Sequence, residues 1–180
     1  MIVRLVGSEM CIRDSTISNF SDLEERISTF ASSCAEKMRK QQSSCSTMLV
    51  FIKSDPHKKN TVPYQNSYVL NLPYITDSNI ILSKYAVIGL KKIFKKGISY
   101  KKAGVMIMGL TPTKKRQLSL FDNNNVKHIS IMQSVDKIHK RFGPHKIKLA
   151  NQDLNRTWKM KQQYLSSRFT TELSEIITVK

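Results

Sequence analysis

Residues 21–53, SDLEERISTFASSCAEKMRKQQSSCSTMLVFIK, hold one helix and one strand in succession and decide the fold class. Ser21 and Glu24 have the spacing of a capping box, with Asp22 and Glu25 placed favourably in the first helical turn. Leu23, Ile27, Phe30, Ala31, Cys34, Ala35 and Met38 then recur at three- and four-residue steps and form a single apolar stripe. The helix closes on Lys37, Arg39 and Lys40, where cations suit the dipole. Thr47–Lys53 is short, β-branched and aromatic, which predicts a strand buried on at least one face.

Beyond that pair, a polar loop with two prolines (residues 54–66) leads to a second strand-like run, Ser67–Leu72, before Pro73. Thr76, Asp77 and Ser78 offer N-caps for a second helix, with Ile81, Tyr85, Ile88 and Phe94 expected inward and Gly97 as its stop. Ile98–Leu110 has a continuous apolar second half that suits a central strand. A third helix is expected over Ile129–Phe142, with Ile131 or Met132, Val135, Ile138 and Phe142 inward and Gly143-Pro144 ending it. A strand candidate, Lys146–Ala150, precedes an ending rich in Trp158, Met160, Tyr164 and Phe169, which reads as a satellite core under the third helix or a docking surface. The fold class is α+β: a small sheet of three to four strands with two helices on one face, then a linker and a small, mostly helical module.

Composition narrows the function. Thirty Lys and Arg against thirteen Asp and Glu leave a net charge of +17, which points to a polyanionic partner, nucleic acid first. Between Asp77 and Asp122 the chain has no acidic residue, while lysines recur from Lys84 to Lys115. Cys11, Cys34 and Cys45 make no even disulfide set and no metal-type pair, so a reducing cytoplasm is expected. No apolar run approaches the ~18 residues of a membrane span, and the start lacks the order of a signal peptide; no membrane partner is expected.

Catalysis finds little support. Two-metal nucleotidyl transfer needs clustered carboxylates, and here Asp22, Glu24 and Glu25 serve a helix start while Asp122, Asp136 and Asp153 fall in separate elements. His57, His128, His139 and His145 have no ligand-like spacing with the cysteines, so no catalytic residue, metal site or cofactor is assigned to this chain.

Within residues 111–125 the composition shifts to an exposed linker, in which Leu118, Leu120 and Phe121 are too apolar to be left in water. The order of elements, AEKMRKQ from Ala35, YKKAGVM from Tyr100, QLSLF from Gln117 and KIKLANQDLNRTWKMKQQYLSSRFTT from Lys146 together resemble the C-terminal part of Y-family translesion DNA polymerases of the UmuC type. The resemblance covers residues 15–180. It implies a little finger domain over 15–112, a linker with a clamp-binding motif over 113–125, and a C-terminal tail module over 126–180. Residues 1–14, MIVRLVGSEMCIRD, do not match the first strand and turn of the family, so they read as foreign sequence and the sheet is expected to lack its native first strand. Ser167 stands where the family suggests proline and Gly109 where it suggests aspartate.

The same resemblance implies the partners. DNA would lie across the sheet, with Lys58, Lys59, Lys95, Lys96, Lys101 and Lys102 neutralising phosphates without sequence preference. The bacterial sliding clamp would receive Gln117, Leu118, Leu120 and Phe121, with Leu120 and Phe121 as apolar anchors and Gln117 hydrogen-bonded at the pocket edge. Cleaved UmuD and RecA filaments are implied as further partners, and Mg2+ only for the catalytic part of such a polymerase. Two other classes are weighed against this reading. A freestanding basic RNA- or ribosome-binding module is compatible with the charge but does not need QLSLF, and a small hydrolase lacks any Ser-His or Cys-His arrangement.

Overall fold

The computed structural model describes residues 8–55, 63–113, 126–143 and 146–152. Seven elements follow one another: β1 (Ser8–Ile17), α1 (Phe20–Lys40), β2 (Ser43–Ser54), β3 (Gln65–Thr76), α2 (Asn79–Ile93), β4 (Tyr100–Pro112) and α3 (Val126–Phe142). The four strands make one antiparallel sheet in the order β1-β4-β2-β3.

Alternation along β2 builds the core. Met48, Val50 and Ile52 are buried toward the helices, while Thr47, Leu49, Phe51 and Lys53 take the other face. β4 matches it in register with Ala103, Val105 and Ile107, and β3 adds Leu70 and Leu72. The α1 stripe Leu23, Ile27, Phe30, Ala31, Cys34, Ala35 and Met38 closes over this layer as its spacing predicts. Each large aliphatic buried there stabilises the fold by about 1.5–3 kcal/mol.

The start of α1 differs from the expected capping box. The helix begins at Phe20 after the N-cap Asn19, whose side chain makes no cap bond; Ser21 already lies inside the first turn. The expected inward set of α2 is also corrected. Leu82, Ala86, Leu90 and Ile93 are its buried apolar line, Ile81 and Tyr85 are half-buried, and Ile88 is 38% exposed. NIILSKYAVIGLKKI is apolar on most sides, so its periodicity leaves the facing side open. Gly89 sets it: a Cβ there would stand 2.6 Å from Leu70 Cδ1 and 3.1 Å from Val50 Cγ2, so α2 approaches the sheet at the residue without a side chain.

Two further expectations change. The sheet has four strands, because Ser8–Ile17 pairs with β4 and occupies the edge where a missing strand was expected. Lys146–Ala150 forms no strand; its backbone is bonded locally, with Leu149 N–H donating to Gln152 Oε1 at 2.9 Å. α3 ends on Gly143 at φ +95 as expected; of the two alternatives Met132 is the buried one and Ile131 is exposed, Val135 and Ile138 are half-buried, and Phe142, expected inward, faces out. Gly109 also has a physical reason: it sits at φ +65, and a Cβ would lie 2.3 Å from Ser46 Oγ. On the edge strand β3, Pro73 falls where the pairing with β2 shifts register.

Candidate nucleic-acid interface

Both α1 and α2 pack on one face of the sheet, which leaves the other without a helical layer among the described residues. Register assembles that open face in rows across β3, β2 and β4. Asn71, Thr47 and Met108 form one row, Val69, Leu49 and Met106 the next, then Ser67, Phe51 and Gly104, and finally Gln65, Lys53 and Lys102. An apolar band therefore ends in a polar, cationic row. Lys53 and Lys102 are direct cross-strand partners, and neither has a carboxylate partner among the described residues.

The lysines expected to meet DNA are not equivalent. Lys101, at a break in the β2–β4 register, is bound to Asp55 at 2.9 Å and is partly neutralised. Lys95 lies with Nζ 4.8 Å from the centre of the Tyr64 ring, and Lys96 is exposed beside it. An aromatic cluster positions this turn: Tyr64 packs edge-on against Tyr100, Phe94 edge-on against Phe20, and Tyr100 meets Phe94 at a tilt of 41°. Lys95 N–H donates to the Tyr100 hydroxyl at 2.8 Å, and that hydroxyl donates to Lys95 O at 2.9 Å. Burial raises the Tyr100 phenol above its ordinary range, which keeps it a neutral donor. Tyr64 similarly donates to Ile93 O at 2.7 Å and secures the end of α2.

The structure divides the basic segment between two layers. Lys84, Lys91 and Lys92 lie exposed on α2, on the helical side, while Lys53 and Lys102 share the open sheet face. Lys53 is the residue missed from sequence. The signal was present, since the alternation of TMLVFIK puts it on the same side as Leu49 and Phe51. Lys58, Lys59 and the motif Gln117, Leu118, Leu120 and Phe121 lie outside the described residues, as do Trp158, Met160, Tyr164 and Phe169.

No group of three or more His, Cys, Asp or Glu able to hold a metal ion occurs among the described residues. Cys34 and Cys45 are buried, and burial, with Asp77 nearby, pushes the Cys45 thiol up to about 12. No helix among the described residues is long and apolar enough to cross a membrane.

A four-stranded antiparallel sheet with two helices on one face and a lysine-ended open face is the form in which known relatives can be compared. The profile of the impB/mucB/samB family C-terminal domain matches residues 5–120, and a domain of unknown function, DUF4113, matches residues 130–179. The chain belongs to the impB/mucB/samB family and carries its C-terminal domain, in agreement with the UmuC-type resemblance of the sequence. It is 30% identical over 166 residues to Protein UmuC of Salmonella typhimurium, a match covering 91% of this chain and 39% of that protein. It is 31% identical to Protein MucB of Escherichia coli, over 89% of this chain and 38% of the relative. Protein SamB of Salmonella typhimurium is 32% identical, over 91% and 39% respectively. The chain thus spans about two fifths of the length of these relatives. Among solved structures, a complex of the beta-clamp processivity factor and the little finger domain of PolIV has a chain matching at 16% identity and a TM-score of 0.45, covering 66% of this chain and 100% of that one.

Proposed function

We propose that this chain is the DNA-holding, clamp-tethered and non-catalytic C-terminal part of an error-prone translesion DNA polymerase of the SOS response, acting in the cytoplasm. The observation that carries the reading is the pair Lys53 and Lys102, which among the described residues has no carboxylate partner and lies on a sheet face without a helical layer. Cationic side chains on a broad sheet bind phosphates and release counterions, which holds duplexes of any sequence and suits an enzyme that meets arbitrary lesions. Lys95, Lys96 and Lys101 extend the same contact at its margin, and Lys58 and Lys59 are counted with them from the sequence alone.

In this reading the motif Gln117–Phe121 docks in the apolar pocket of the bacterial sliding clamp, with Leu120 and Phe121 as anchors. Two such anchors contribute about 1.5–3 kcal/mol each before ordering costs, a moderate affinity that permits exchange of polymerases. Tethering then raises the local concentration of polymerase at the primer end. Nucleotidyl transfer and its Mg2+ belong to the portion of the relatives that this chain does not span, and cleaved UmuD and RecA are further partners of the assembly.

The test has two arms. Binding to a duplex should fall with salt at a slope near −0.9 per neutralised phosphate and show no sequence preference. Binding to the clamp should be saturable and lost in the Leu120→Ala, Phe121→Ala double variant, with DNA binding intact. Salt-independent or sequence-specific DNA affinity would overturn the first part, and a folded chain that ignores the clamp would overturn the second.

A further inference from the structure

We infer that the groove where α1 meets the start of α2 is a receptor for a helix bearing a carboxylate, filled in this chain by α3 through Asp136. Arg39, in the last turn of α1, is the centre of the groove and its side chain is only 9% exposed. Its Nε donates to Asp136 Oδ2 and its Nη2 to Asp136 Oδ1, both at 2.7 Å. Its Nη1 donates to Asp77 O at 2.8 Å and to Asn79 Oδ1 at 2.7 Å, so one guanidinium ties α1, the start of α2 and α3 together. A guanidinium so far removed from water requires a carboxylate, because neutral acceptors alone leave its charge uncompensated.

Apolar burial is only one part of the docking, with Val135 and Ile138 of α3 half-buried. Met132 is the buried apolar residue of α3, and the main hydrophobic cluster is complete without it. Ile131 and Phe142 of the same helix remain 44% and 57% exposed. Polar contacts add to it: His128 Nδ1 meets Ser78 Oγ at 3.1 Å, His139 Nδ1 lies 3.7 Å from Glu36 Oε2, Asn151 Nδ2 donates to Ser28 and Ser83 Oγ at 2.9 Å each, and Gln152 Nε2 donates to Ser28 O at 3.3 Å. The two sides of the contact also fall in two different matched domains, since Arg39 lies within residues 5–120 and Asp136 within 130–179. The groove therefore joins one family domain to the next, and it does so by a charge-specific bond.

Hydrogen exchange on the full chain tests this, with Asp136→Ala and the isosteric Asp136→Asn beside the wild type. An undocked α3 is a short helix of marginal stability, so its amides report docking directly. Both variants should speed exchange across Val126–Phe142 by roughly tenfold or more while α1, β2 and β4 keep wild-type protection. A synthetic peptide of residues 126–152 should then bind the Asp136→Ala chain, and the same peptide carrying Asn at the Asp136 position should not. Unchanged protection of α3 in either variant overturns the inference, because the carboxylate then does not hold it. Loss of protection in α1 and β4 as well overturns it too, because α3 is then part of the domain fold and not its ligand.

Discussion

Lys53 and Lys102 stand directly opposite one another on β2 and β4. Like charges so placed oppose folding by about 0.2–1 kcal/mol, and the fold keeps them on the open face, with no carboxylate among the described residues to relieve them. A polyanion laid across the sheet would convert that repulsion into attraction.

Lys53→Ala and Lys102→Ala should each lower the slope of log DNA affinity against log salt by about 0.9. Each should also leave the free protein as stable as wild type or slightly more so. A titration in which the double variant keeps the wild-type salt slope would exclude this face from the DNA contact.

Gly89→Ala normally strengthens a helix by about 1 kcal/mol. Here the added carbon would stand 2.6 Å from Leu70 Cδ1, and such overpacking costs about 1–3 kcal/mol. Net destabilisation in urea unfolding is the expected sign. A gain in midpoint would mean that α2 does not lean on the sheet at this residue.

The Cys45 thiol is raised by burial from its ordinary 9.0 to about 12. Above pH 9 the unfolded chain therefore releases this proton first and the folded chain holds more protons, so stability falls as pH rises from 9 towards 12. Below pH 9 the contribution is fully present. Comparing wild type with Cys45→Ala across that range isolates the effect from lysine titration; a difference that stays flat with pH would show the thiol to be solvated.

Tyr100→Phe removes a hydroxyl that both accepts from and donates to the Lys95 backbone. The expected loss is about 0.5–1.5 kcal/mol, with faster exchange of the Lys95 amide and little change at Val105 or Ile107. Equal loosening at all three would assign Tyr100 to the core alone.

Much of this was legible in the sequence, for reasons that differ by element. The α1 stripe and the β2 run each have a single period, and both packed as their spacing requires. The facing side of α2 was not legible, because a helix apolar on most sides takes its orientation from a distant contact, here Leu70 and Val50 against Gly89. Lys146–Ala150 has strand-like residues but no strand partner among the described residues, and Gln152 and His139 take up its backbone groups instead. At the candidate site, a count of lysines along the chain could not separate those on α2 from those on the sheet. The cross-strand meeting of Lys53 and Lys102 depends on a register that no local pattern encodes.

Pro73 carries a consequence for association between molecules. β3 is bonded to β2 alone within the described sheet, so its outer edge offers backbone groups to any extended chain that approaches. A proline has no N–H to give, and a guest strand zipping along from Gln65 would lose its ladder at Pro73. The edge is thereby shortened as a template, and the protein can gather at high local density with less tendency to grow into a continuous intermolecular sheet.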